Sequence, residues 1–205
     1  MKDPNNKIKF LAAEALRGCG GMLIDANGHR FCDELGRRDY VTGEMNKGKA
    51  PFRLILNSAA SKEIEWHCKH YVGRGLMYKF ASGADLAKDM KIDPTVLKAT
   101  FDEYSKNAKE GKDKYGKKFF TNAPFVIEDH LHVSFVTPVI HYTMGGIKIS
   151  PDNRVIGKDG NWVKGLWAVG ETCGGVHGKN RLGGNSLLDC VVHGRVAGKD
   201  VVKYQ

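Results

Sequence analysis

Residues 171–194 read Glu-Thr-Cys-Gly-Gly-Val-His-Gly-Lys-Asn-Arg-Leu-Gly-Gly-Asn-Ser-Leu-Leu-Asp-Cys-Val-Val-His-Gly. A glycine-rich loop here leads into an apolar helix, and Arg181 lies inside the loop. Glycine lets a backbone approach a ligand closely, and a helix N-terminus offers N–H donors with a partial positive charge. The stretch therefore predicts a site for an anionic or electron-rich ligand. The alternative, a surface loop with ordinary glycine turns, is disfavoured by six glycines in 24 residues and a buried-type helix.

The rest of the sequence predicts an α+β or α/β fold in two domains: a small mixed α+β domain, then a strand-rich part that leads into the closing helix. A change in composition near residue 122 gives the boundary, so the domains span residues 1–122 and 123–205. Periodicity and turn signals predict helices over residues 9–17, 58–71, 83–91, 94–109 and 185–202. They predict strands over residues 52–57, 76–81, 133–139, 146–150, 155–156 and 166–169, and a hairpin with an Asn-Gly turn at residues 27–28.

Composition limits the class of partner. The net charge is +9, but the basic residues are dispersed and the one dense run, residues 106–118, is typical of a solvated helix end and loop. No nucleic-acid partner is therefore expected. No apolar run approaches 18 residues, so no membrane partner is expected.

The cysteines and histidines indicate a reducing compartment and no metal-binding site. Five widely spaced cysteines with no Cys-x-x-Cys pair favour free thiols in a reducing, intracellular compartment, either the cytoplasm or an organelle such as the mitochondrion. His67-Cys68-Lys69-His70 lacks a second half at zinc-finger spacing, so no metal site is expected.

Nucleotide-binding motifs are incomplete. No Gly-x-Gly-x-x-Gly and no phosphate-binding Gly-x-x-x-x-Gly-Lys-Ser/Thr occurs in the 205 residues. A nucleotide cofactor therefore has no complete site in this sequence.

Four motifs carry a resemblance to a known family. Residues 165–171 (Gly-Leu-Trp-Ala-Val-Gly-Glu), 177–186 (His-Gly-Lys-Asn-Arg-Leu-Gly-Gly-Asn-Ser) and 141–146 (His-Tyr-Thr-Met-Gly-Gly) resemble the C-terminal half of the fumarate reductase/succinate dehydrogenase flavoproteins. Residues 14–39 resemble the start of the capping domain in the same family, and their spacing is similar to that of the soluble, FAD-dependent fumarate reductases.

The resemblance implies that residues 1–122 are the substrate-closing capping domain and that residues 123–205 are the C-terminal part of the FAD-binding domain. The family's N-terminal Rossmann-type segment is missing, so the chain resembles a fragment that is inactive by itself. The implied substrate pair is fumarate and succinate. Three electron donors stay open: NADH through a fused domain, free reduced flavin and a haem domain.

The resemblance also implies roles for individual residues. Arg38 takes the position of the proton donor. Glu14 and Arg17 lie three residues apart on one face of a predicted helix, where they are expected to form an ion pair, and they match the relay that reprotonates Arg38. Three residues match positions that bind the substrate carboxylates: His141, Thr143 and Arg181. Tyr142 stands where some relatives carry a second histidine.

For FAD, Glu171 matches a position that binds ribityl or ribose hydroxyls. Three glycines would let the flavin ring lie against the backbone: Gly170, Gly174 and Gly175. Four residues at the start of the closing helix would offer N–H groups to the flavin: Asn185, Ser186, Leu187 and Leu188. His177 either supports this site from behind or only packs.

Other functions stay open from the sequence. Within the family these are a succinate dehydrogenase subunit, an L-aspartate oxidase and another 2-enoate reductase. Outside it, the charge alone would allow a non-catalytic basic binding module.

Overall fold

The computed structural model of the protein describes residues 7–204. The chain divides into two compact units, Met1–Val139 and Ile140–Gln205. Within residues 7–204, no helix is long and apolar enough to cross a bilayer. The same range contains no group of three or more His, Cys, Asp or Glu side chains that could hold a metal ion.

The first unit is built on an antiparallel sheet of four strands in the order β1-β2-β4-β3. The strands are β1 (Met22–Ile24), β2 (Phe52–Leu56), β3 (Tyr78–Phe80) and β4 (Leu131–Val136). Strand β2 is buried along its whole length. Its side chains alternate between two cores: Leu54 and Leu56 enter one, and Ile55 enters the other.

Six helices complete this unit: α1 (Glu14–Gly18), α2 (Arg38–Lys47), α3 (Ser58–Glu63), α4 (Glu65–Gly73), α5 (Gly83–Met90) and α6 (Pro94–Glu110). Residues of α1 to α4 contribute to the core around Leu54, and those of α5 and α6 to the core around Ile55. Helix α6 begins as the sequence predicted, because the Asp93 side chain accepts the Thr95 N–H and Pro94 occupies the first turn.

Two predicted helices differ from those observed. Residues 9–13 are not helical, because the Tyr71 hydroxyl accepts the Ala13 N–H at 3.2 Å and donates to the Leu11 carbonyl at 3.0 Å. The side chain thus takes backbone groups that a longer α1 would need. The predicted helix 58–71 breaks at Ile64, whose φ of −116° and ψ of 41° lie outside the helical region.

The structural boundary follows Val139, later than the boundary after residue 122 that composition predicted. The reason is long-range pairing: β4 lies between β2 and β3, and Phe125 packs on Phe101 with ring centroids 5.4 Å apart. The roles of the two parts as capping and FAD-binding domains stay a prediction.

A buried charge cluster joins the loop after α6 to the segment before α2. The Glu34 carboxylate accepts from Arg30 at 2.8 and 3.0 Å and from Lys117 Nζ at 2.9 Å, and Arg30 also donates to Asp113 at 2.8 Å. All four side chains are at most 3% exposed. Burial opposes the charge of Arg30, but its hydrogen bonds to Glu34 and Asp113 raise its pKa. The prediction that run 106–118 is simply solvated is therefore wrong at Asp113 and Lys117.

The five cysteines are free, and Cys190 is the exposed one. Burial raises the pKa of Cys19 to about 11 and the pKa of Cys32 to about 12. Free thiols are what the sequence predicted.

The second unit contains a hairpin of β5 (Arg154–Ile156) and β6 (Trp162–Trp167), a 3-10 helix (Gly170–Thr172) and α7 (Asn185–Val201). The predicted strand 146–150 is reduced to isolated bridges at Ile147 and Ile149. The predicted closing helix is confirmed as α7. Its buried-type apolar face, however, is exposed within this chain, with Leu187 at 76%.

Asp200 ties the end of α7 to the hairpin. Its carboxylate accepts from Arg154 Nε and Nη2 at 2.6 and 2.8 Å and from Trp167 Nε1 at 2.8 Å. The hydrogen bonds from Arg154 and Trp167 lower the pKa of Asp200 to about 2. This carboxylate therefore stabilises the fold in its charged form.

We expect Lys117→Met to lower the free energy of unfolding by about 3 kcal/mol, because it leaves buried Glu34 and Asp113 with one cation. Urea unfolding of the purified protein measures the change. Lys98→Met is the matched control, since the Lys98–Asp102 pair is exposed, and should cost less than about 0.5 kcal/mol. Equal stability of the two variants would contradict a structural role for the cluster.

We expect Asp200→Asn to destabilise the fold at pH 7 and the deficit to shrink with acid. The folded-state pKa lies below the ordinary value of 3.8, so the stabilisation is present above pH 3.8 and is lost as the pH falls through about 2. Urea midpoints of both proteins between pH 7 and pH 2 test this. A stability difference between the two proteins that increased as the pH fell would contradict this prediction.

Candidate functional site

Arg38 and Glu14 form an ion pair although 24 residues separate them. Arg38 Nη2 lies 2.5 Å from Glu14 Oε1. Glu14 opens α1 and Arg38 opens α2, so two helix starts bring the side chains together. The pair is partly open to solvent, with the arginine side chain 31% exposed and the glutamate side chain 49% exposed.

Arg17 has a different partner from the one expected. Its Nη1 donates to the carbonyl oxygens of Glu34 at 2.6 Å and Gly36 at 3.3 Å. Among residues 7–204, no ion pair joins Arg17 to Glu14, which is bound to Arg38 instead. The prediction of a Glu14–Arg17 pair is therefore wrong, and the contact of Arg17 is with the loop that leads into α2.

In the second unit, Glu171 and Thr143 are in contact. Glu171 Oε1 accepts the Thr143 backbone N–H at 2.9 Å and lies 3.4 Å from the threonine hydroxyl. One residue expected at the cofactor and one expected at the substrate are thus adjacent. His141 is exposed and belongs to no hydrogen bond or ion pair within the described part of the chain.

Arg181 is buried, and its guanidinium lies on an aromatic ring. Its Cζ is 4.3 Å from the centroid of the Tyr142 ring, and Nη1 donates to the Leu182 carbonyl at 3.0 Å. An arginine held on a ring face keeps its planar fork in a defined orientation, which suits bidentate binding of a carboxylate.

Asp189, which the sequence analysis did not single out, lies behind this arginine. Its Oδ2 is 3.3 Å from His177 Nε2 and 3.5 Å from the Tyr142 hydroxyl, and its Oδ1 is 3.7 Å from His193 Nε2. His177 thus has a polar partner in addition to its packing on Tyr142, and its supporting role at the site stays a prediction. The available signal was an acid at 189 and a histidine at 193, one turn apart in an otherwise apolar helix.

The start of α7 fits an electron-rich ligand. Gly184, with φ of +78°, precedes the helix, and within residues 7–204 no side chain caps its first turn. N–H groups near Ser186, Leu187 and Leu188 therefore lack a side-chain acceptor, as a flavin ring that carries negative charge would require. Leu187 and Leu188 are exposed beside them, which suits the apolar part of such a ring.

The three glycines expected beside the flavin occupy positions that favour glycine for different structural reasons. Gly170 has φ of +68°, and a side chain there would come within 3.0 Å of Cys190 Sγ. A Cβ at Gly174 would lie 2.7 Å from the Gly146 nitrogen, so tight backbone packing alone requires glycine at this position. Gly175 also has a positive φ, of +91°, with open space around it.

Comparisons with known proteins identify the family of the chain. The sequence profile of a family described as FAD binding domain matches residues 1–187. The chain is 50% identical over 199 residues to a fumarate reductase of Schizosaccharomyces pombe, covering 97% of this chain and 39% of the relative. It is 37% identical to fumarate reductase 1 of Saccharomyces cerevisiae, covering 97% of this chain and 45% of that protein.

A solved structure described as the open conformation of a flavocytochrome c3 fumarate reductase is also similar, with a TM-score of 0.70 and 31% identity. The match covers 96% of this chain and 35% of that one. The chain thus spans less than half the length of these relatives. The profile covers most of the sequence, and the chain belongs to the FAD-binding domain family whose members include the fumarate reductases.

Proposed function

We propose that this chain is part of a flavoprotein that reduces fumarate to succinate. The reaction adds a hydride to one alkene carbon and a proton to the other. When bound, FAD supplies the hydride. The residues of this chain then have to bind the two carboxylates, stabilise the developing negative charge and deliver the proton.

The observation that carries the proposal is the 2.5 Å ion pair between Arg38 and Glu14. A guanidinium group is a weak acid. It can protonate a carbanion beside a carboxylate, because that carbanion is more basic still, provided that the proton is replaced at once. Glu14 lies within hydrogen-bond distance and is half exposed, so it can pass a solvent proton to Arg38.

Arg17 acts on the same step indirectly in this proposal. Its bonds to the Glu34 and Gly36 carbonyls hold the loop that ends at Arg38. Arg17 therefore positions the proton donor, whereas Glu14 exchanges the proton with it.

The second unit supplies carboxylate recognition. Arg181, held on the Tyr142 ring, offers a fork of N–H donors to a substrate carboxylate, and His141 and Thr143 offer further donors. Positive charge held ready at this carboxylate stabilises the charge that builds there as the hydride arrives.

The cofactor is held by Glu171, the glycine loop and the uncapped start of α7. The rest of its binding site belongs to a dinucleotide-binding segment that is not among these 205 residues. The exposed leucines and valines of α7 support this division, since a helix face with Leu187 at 76% exposure needs a covering partner. Electrons would reach the flavin through a further donor, for which an NADH-linked domain is one candidate.

In the full-length flavoprotein, we expect Arg38→Ala to lower fumarate turnover at least 1,000-fold (on the order of 4 kcal/mol in barrier height) while succinate still binds. Reduced-dye turnover and calorimetric binding measure the two effects. Arg37→Ala is the matched control, since the Arg37–Asp39 pair is exposed and adjacent, and should retain activity. Near-normal turnover by Arg38→Ala would refute its role as the proton donor.

We expect the 205-residue chain alone to bind FAD weakly or not at all, because it contains no dinucleotide-phosphate motif. Fluorescence titration of the purified chain measures the affinity. A stoichiometric yellow flavin spectrum after purification would show that the site is complete without a further segment.

A further inference from the structure

The Asp189 carboxylate is buried, so neighbouring groups must stabilise its charge. Its side chain is 2% exposed and projects from the second turn of α7. A buried carboxylate is costly unless hydrogen-bonded groups surround it. Its partners are therefore the first place to look for its role.

These partners come from both loops that carry the proposed carboxylate-binding residues. Tyr142, whose hydroxyl lies 3.5 Å from Oδ2, is flanked in sequence by His141 and Thr143. His177, whose Nε2 lies 3.3 Å from the same oxygen, precedes Arg181 by one short turn of chain. One carboxylate oxygen thus links two loops to a rigid helix.

The link reaches Arg181 through the Tyr142 ring. The hydroxyl end of Tyr142 contacts Asp189, while the ring face lies 4.3 Å from the guanidinium carbon. The His177 ring meets the Tyr142 ring edge-on, with centroids 5.8 Å apart, which limits rotation of the phenol. Fixing the ring by its hydroxyl therefore fixes the surface on which the guanidinium lies.

The other carboxylate oxygen of Asp189, Oδ1, faces His193 beyond hydrogen-bond distance. His193 Nε2 lies 3.7 Å from Oδ1, and His193 Nδ1 is 2.5 Å from Asn153 Oδ1. The Asn153 amide nitrogen donates to the His193 carbonyl at 3.2 Å, so Oδ1 is its acceptor end and Nδ1 of His193 is the donor. Asn153 therefore orders His193, while Asp189 is bound to the two loops through Oδ2.

We propose that Asp189 is a positioning residue for dicarboxylate recognition, acting through Tyr142 and His177 to fix the orientation of Arg181. This inference rests on the proposed function, in which Arg181 binds a substrate carboxylate. It assigns Asp189 no contact with substrate or cofactor.

A double-mutant cycle in the full-length flavoprotein tests the proposal. Asp189→Asn should weaken succinate binding, measured by calorimetry, about tenfold, which corresponds to the loss of roughly one hydrogen bond to a charged group. It should also raise KM for fumarate more than it lowers kcat. The exposed Asp152→Asn is the matched control and should bind succinate as the wild type does.

The decisive arm combines Asp189→Asn with Arg181→Lys. If Asp189 acts through Arg181, the double variant binds succinate no more weakly than Arg181→Lys alone. Losses that multiply would overturn the inference while leaving the proposed function intact. An Arg181→Lys variant with unchanged succinate affinity would instead overturn the proposed role of Arg181, and this inference with it.

FAD content and melting temperature would reveal a folding defect in Asp189→Asn. A milder substitution keeps the proposal testable in that case. Tyr142→Phe removes only the hydroxyl and keeps the ring beneath Arg181. It should weaken succinate binding by a smaller factor, again with no further loss in the Arg181→Lys background. Wild-type affinity in Tyr142→Phe would overturn the proposal.

Discussion

The first unit depends on the hydrogen bonds and ion pairs that the buried carboxylate of Glu34 makes. It accepts from Arg30, from Lys117 and, at 3.4 Å, from the Leu23 backbone N–H, so it joins β1 to the loop that follows α6. The carbonyl of the same residue accepts from Arg17 at 2.6 Å. Glu34 therefore fixes the chain on both sides of its own Cα, four residues before Arg38. Burial of so many charges costs desolvation energy, and the return is a defined path for this segment rather than stability alone.

Asp189 repeats this arrangement in the second unit. In each unit a buried carboxylate, Glu34 in the first and Asp189 in the second, binds groups from segments distant in sequence. Glu34 and Asp189 differ in how fully their partners compensate the negative charge. Glu34 has two cationic partners within 3 Å, whereas the Asp189 contacts are longer, from 3.3 Å. Glu34 is therefore bound by cations, whereas Asp189 is bound by the Tyr142 hydroxyl and the His177 ring at longer distances.

Local signals in the sequence predicted local structure well. Asp93-Pro94 marked the start of α6, and the apolar periodicity after Asn185 marked α7, because caps and periodicity act over a few residues. Features that depend on distant partners were not predictable. Nothing near residue 122 shows that β4 inserts between β2 and β3. Nothing near residues 9–13 shows that Tyr71 occupies their backbone groups.

The candidate site shows the same limit. Motifs named the residues, but a spacing of i,i+3 suggested Arg17 as the partner of Glu14, and a non-local contact with Arg38 prevails. A charged group in a lysine-rich run reads as solvated unless its partner, here Glu34 for Lys117, is known to lie beside it. Asp189 was overlooked because Tyr142 and His177 are brought beside it only by the fold, and His193, one turn along the same helix, was the one local signal.

Solvent exposure divides the proposed site according to chemistry. Arg38 and Glu14 are 31% and 49% exposed, as a group that takes protons from water must be, since a sealed relay could not be refilled. Arg181 and Asp189 are buried, which suits the proposed recognition of a carboxylate, since a charge acts more strongly where water does not screen it. A proton donor tolerates an exposed, adjustable partner, whereas a clamp loses orientation with every degree of freedom. The buried Asp189 carboxylate behind Tyr142 thus suits the proposed binding of a substrate carboxylate, and the exposed Glu14 carboxylate beside Arg38 suits the proposed exchange of protons with water.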